Sequence, residues 1–156
     1  MRLINKSSRP TPEVRALVRF GMKGLQHKGI TVTVVDARKK AWDGKIHSTG
    51  WANKSRGKIL IRIAPDWCYP YKGWKRHRNS PLNHDHQNWQ ESVVALAAHE
   101  GKHIDLSWEY YDRNMVSVYR KDVGHYTRKN HQVEMACEAH ERWVLDRYRE
   151  SLLSSR

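Results

Sequence analysis

Little in this 156-residue chain can cross-link it covalently. Cys68 and Cys137 are too few for a disulfide scaffold and are not spaced as a CxxC pair, so two reduced thiols are the expectation. Long apolar runs are also missing. None approaches the ~18 residues that span a bilayer, so no membrane-crossing segment is expected. Met1 to Pro12 carries no apolar stretch of the kind a secretory signal needs, which points to a cytoplasmic location. There are no internal repeats and no low-complexity tract, and the length fits one domain over residues 1–156.

Acidic side chains are scarce. Asp and Glu together number 16 against 29 Lys and Arg, a formal charge of +13. That excess draws the chain toward polyanions, nucleic acid included, or serves solubility alone. The cations come in separate clusters, such as Arg38-Lys39-Lys40, Lys54 to Lys58 and Lys72 to Arg78, which reads as a basic surface rather than a tail. Charge names a partner class and no chemistry.

What is present is a periodic pattern with one interruption. Thr11-Pro12-Glu13 starts a helix, with Pro at the first helical position. Val14, Leu17, Val18, Met22 and Leu25 continue it at three- and four-residue steps, and Gly29 ends the segment. Ile30 to Val35, Ile46 to Trp51 and Lys58 to Ile63 read as strands, the last with Ile59, Ile61 and Ile63 on one face. A three-stranded antiparallel meander is their simplest arrangement. Residues 65–88 show neither period and suit a lid or binding loop. There Trp67, Tyr69, Tyr71 and Trp74 alternate with Lys72, Lys75, Arg76 and Arg78, a pattern that suits stacking and phosphate contact with nucleic acid. His84-Asp85-His86 is either a second ion site or an ordinary polar loop. Two long helices follow, near 89–111 and 130–152. The fold class is therefore α+β: an N-terminal helix, the meander, and two C-terminal helices.

Chemistry enters at His99-Glu100-Gly101-Lys102-His103, an HExxH motif. With ten His and eight Glu in the chain, composition predicts only about 0.03 chance matches. Asn88, with Glu91 three residues on, caps the helix that carries it. At ~100° per residue, His99 and His103 lie about 40° apart and one turn from each other, so both imidazoles can hold one Zn²⁺. Glu100, turned by about 100°, reaches a water on the ion rather than the ion itself. Gly101 in mid-helix suggests that another element packs closely there.

A hydrolytic zinc site needs a third protein ligand. On the second helix, Glu134 and Glu141 fall inside the sector marked by Val133, Cys137, Val144 and Leu145, and Glu138 lies at its edge. Glu134 is the first choice, with Glu138 and His125 as alternatives. Tyr110, Tyr111, His125 and Tyr126 are candidates to stabilise an oxyanion.

HExxH followed by a glutamate on a second helix resembles the gluzincin class of zinc metallopeptidases. The order of elements is similar to the minimal zincin-like core of IrrE-like and SprT-like proteins, over about residues 11–150. That resemblance implies a zinc-dependent endopeptidase acting on protein or peptide substrates. His99, His103 and Glu134 would hold the metal, Glu100 would be the general base, and Lys58 to Ile63 the edge strand that pairs with substrate. The chain departs from the thermolysin pattern ExxxD by having Glu134 and Glu138, and from SprT-like proteins, where a third histidine would correspond to His125.

Overall fold

A computed structural model describes residues 1–37, 50–53, 56–70, 86–112 and 131–155, without the side chains of 51, 53, 108–112, 131 and 132. The elements run β1 (Arg2–Asn5), α1 (Thr11–Gly21), β2 (Thr31–Asp36), β3 (Gly50–Asn53), β4 (Lys58–Ile63), α2 (Trp89–Asp112) and α3 (His131–Ser154). A 3₁₀ turn, Asp66–Cys68, follows β4.

The sheet order is β1-β2-β4-β3. β1, β2 and β4 are parallel, and only β3 runs against its neighbour. This overturns the expected antiparallel meander in two places. First, a strand precedes α1, so β1-α1-β2 is a crossover unit whose strands must be parallel. Second, β4 does not simply return beside β3. It inserts between β2 and β3, pairing Val32 with Ile59 and Val34 with Ile61 on one side and Ala52 with Ile59 on the other. Lys58–Ile63 is therefore an interior strand, not the edge that the resemblance implied. β3 holds that edge.

The strand faces follow the alternation read from sequence. Val32, Val34, Ile59, Ile61 and Ile63 are buried in one core with Val14, Leu17, Val18 and Met22 of the α1 segment and Val93, Val94 and Ala97 of α2. α1 follows Pro10 at its N-cap, with Pro12 in its first turn, and its apolar stripe is buried throughout. Very small residues set the α1–α2 distance. A Cβ on Gly21 would sit 2.6 Å from the Val94 carbonyl oxygen and 2.8 Å from the Ala97 Cβ. Gly101 is packed too, though against flexible atoms: a Cβ there would lie 2.5 Å from the Met22 sulfur. The close approach expected at Gly101 is present.

α2 starts as its sequence dictates. The Asn88 side chain accepts from the Glu91 N–H at 2.9 Å, while Glu91 reaches back to the Gln87 N–H at 3.0 Å. Arg149 of α3 donates to both carboxylate oxygens of Glu91, at 2.6 and 3.0 Å. Among the described residues, no helix is long and apolar enough to cross a membrane.

Candidate metal centre

α2 is buried along Val93 to Ala98, and the next turns place His99 and His103 against α3. α3 answers with carboxylates rather than aliphatic side chains. Glu134, Glu138 and Glu141 each keep less than a tenth of their surface exposed, among Val133, Cys137, Val144 and Leu145. Three acids in such a place need cationic or metallic partners, because an unpaired buried charge costs several kcal/mol.

Glu134 sits between the two histidines. Its Oε1 is 2.7 Å from His99 Nε2 and its Oε2 is 3.1 Å from His103 Nε2. The imidazole rings are 5.1 Å apart, centre to centre. His99, His103 and Glu134 thus form a group that can hold a metal ion, their ligand atoms all within 4.8 Å of one another. Tetrahedral ligands at about 2.0–2.1 Å from an ion are about 3.3 Å apart, so small side-chain adjustments close the trio on one. Two imidazoles and a carboxylate with water access are the donor set of hydrolytic zinc sites. The residues fit the ion.

The electrostatics agree with the packing. Burial alone would lower the His99 pKa, but the carboxylates of Glu134 and Glu141 reverse that and hold it well above the ordinary imidazole value. Burial would raise Glu134, yet His99 and His103 bring it far below the usual carboxylate range. Glu141 behaves alike: burial pushes up, while His86 and His99 pull further down. Glu100 differs. Burial raises its carboxyl, and the opposing pull of His99 and His103 is too weak to cancel that.

Glu100 is not one of the three grouped residues. It turns toward the edge strand, where a Cβ on Gly50 would lie 2.9 Å from its Oε1 and 3.0 Å from its Cγ. Glu100 therefore lies next to the two histidines and outside the group. Glu138 is buried on α3 but does not join the trio. Cys137 is fully buried, its thiol hydrogen-bonded to His103, and burial raises its pKa.

Two partners of the cluster were named in the sequence but not assigned to it. Glu141 Oε2 is 3.6 Å from His99 Nδ1, and its Oε1 is 3.6 Å from His86 Nε2. His86 in turn places Nδ1 2.8 Å from Ser92 Oγ. A signal for Glu141 existed, since it shares a helical sector with Glu134. For His86 the signal was its place two residues before the Asn88 cap, which carries it to the start of α2. His84 and Asp85 lie outside the described residues, as do His125, Tyr126, Lys72, Lys75, Arg76 and Arg78, and so do the side chains of Tyr110 and Tyr111. Compared with protein-family models, curated proteins and solved structures, the chain matches none.

Proposed function

We propose that the protein is a zinc-dependent peptidase whose ion is held by His99, His103 and Glu134. One observation carries the reading: Glu100 is adjacent to both ligand histidines and packs against Gly50 of β3, an edge strand among the described residues. A structural zinc site has no need of such a carboxylate. When bound, zinc supplies Lewis acidity and lowers the pKa of a water toward about 7. Glu100 accepts the proton of the attacking water on a carboxylate oxygen and passes it to the departing amine nitrogen. β3, which among the described residues pairs only with β4, offers backbone N–H and C=O groups to an extended peptide and brings it past Glu100. The charge of +13 favours acidic or nucleic-acid-associated protein substrates.

Glu100→Gln tests this. The variant is expected to keep one zinc per chain and the wild-type circular dichroism, while casein or peptide hydrolysis falls by at least ~10²–10⁴-fold. A variant with zinc and full activity would remove the proposed base, and one that loses zinc would make Glu100 a ligand.

A further inference from the structure

The surroundings of His99 point to a positioning device. It has a carboxylate at each ring nitrogen: Glu134 at Nε2, 2.7 Å away, and Glu141 at Nδ1, 3.6 Å away. Glu141 comes from α3 two turns beyond Glu134, and its second oxygen lies 3.6 Å from His86 Nε2. His86 is 5% exposed, precedes the cap of α2, and is joined through Nδ1 to Ser92 Oγ at 2.8 Å. The chain of contacts His99–Glu141–His86–Ser92 therefore begins on α2, crosses to α3 and returns to the first turn of α2.

We propose that Glu141, oriented by His86 and Ser92, is the positioning residue that holds a proton on His99 Nδ1 and so presents Nε2 to the ion. This deepens the peptidase reading and rests on it. The chemistry is general. A neutral ligand imidazole gives one nitrogen to a metal and carries its proton on the other, and an anionic acceptor there both fixes the tautomer and makes the ring a better donor. Glu138, one turn from Glu134, is the nearer carboxylate in sequence, yet Glu141 faces His99 Nδ1. His86 is needed because a carboxylate contacting one group at 3.6 Å is otherwise able to turn. Contacts on both oxygens restrain it.

The test is zinc affinity of the full chain by competition with a chromophoric chelator, together with the visible spectrum of the Co²⁺ form. Glu141→Gln keeps the shape and an acceptor oxygen but removes the charge. It is expected to weaken zinc by about 10–100-fold and shift the Co²⁺ bands. His86→Gln should weaken it by about tenfold or less, at the low end of that range. The double variant should be no weaker than Glu141→Gln alone, since His86 acts through Glu141. Wild-type affinity and spectrum in both Glu141→Gln and His86→Gln would overturn the proposal, as would losses that multiply in the double variant. Should Glu141→Gln fail to fold by circular dichroism, a wild-type Co²⁺ spectrum in His86→Gln overturns it. If the wild-type chain takes up no zinc or Co²⁺, the metal reading itself falls, which is a distinct result.

Discussion

Gly101 and His103 are two residues apart on α2, yet they face interfaces built on opposite physics. Toward α1 the helix presents Val94, Ala97, Ala98 and Gly101, and contact is set by the absence of side-chain matter. Toward α3 it presents His99 and His103, and contact runs through Glu134 and Glu141. The dry face gains from close packing, which tolerates little change in volume. The polar face is stabilised only while each charge has its partner. One helix can thus be rigidly seated on one side and chemically equipped on the other.

Adding zinc should separate the two faces most sharply. At a thousandfold excess over its dissociation constant, a bound ion stabilises the folded chain by about 4 kcal/mol. Thermal unfolding of the wild type should shift upward accordingly, and chelator should reverse it. His103→Ala should abolish the shift. If His103→Ala is still protected by zinc, the ion sits elsewhere and the polar face is merely an ion-pair cluster.

The dry face is next. Gly21→Ala would drive a methyl into the Val94 carbonyl oxygen at 2.6 Å, with the Ala98 backbone nitrogen at 3.2 Å. Backbone cannot step aside, so about 1–3 kcal/mol of destabilisation is expected in urea unfolding. Gly101→Ala meets the Met22 thioether and the Leu25 methyl instead, which can rotate away. The gain in helix propensity, about 1 kcal/mol, should roughly offset that movement. Equal losses at the two positions would show that the interface is uniformly tight rather than pinned at Gly21.

The smallest effect belongs to the Arg149–Glu91 fork. Burial raises the Glu91 pKa, but Arg149, with help from the Gln87 N–H, outweighs it and leaves the carboxyl below its ordinary value. A carboxylate with a lowered folded pKa contributes stability that is fully present above the unfolded value of about 4.3. It is lost as pH falls through the folded one. Glu91→Gln should therefore narrow its stability gap to the wild type as pH drops below about 4.3. The gap at neutral pH should be about 1 kcal/mol or less, because the Arg149 side chain keeps 35% of its surface exposed. A gap independent of pH would mean that the fork is electrostatically idle.

Local patterns in the sequence carried the helices and most of the candidate site. The α1 stripe, the Asn88 cap and the one-turn spacing of His99 and His103 are written in contiguous residues, and each has its place in the structure. Glu134 was legible because a carboxylate in an apolar sector demands a partner. The sheet order was not legible. β1 offers only Leu3 and Ile4 as apolar residues and exists because α1 returns the chain to lay β2 beside it. Nor does any local feature of Lys58–Ile63 say that it inserts between β2 and β3. That choice is made by long-range pairing, and it moved the free edge from β4 to β3. His86 was hidden for a related reason: a His-Asp-His run reads as a polar loop until the start of α2 turns one of its members inward.

The contacts between α2 and α3 also act as a pair of register pins. Glu134 meets His99 and His103 near one end of the interface, and Arg149 grips Glu91 at the other. The two α3 residues are fifteen positions apart, about 22 Å along the helix. Sliding α3 by one turn would unseat both pins at once, and rotating it would carry Glu134 away from the imidazoles even with the far pin intact. The helix that bears the carboxylate is therefore fixed in depth and in angle by contacts well separated along its length. The histidines on α2 accordingly meet their third donor with its position already determined.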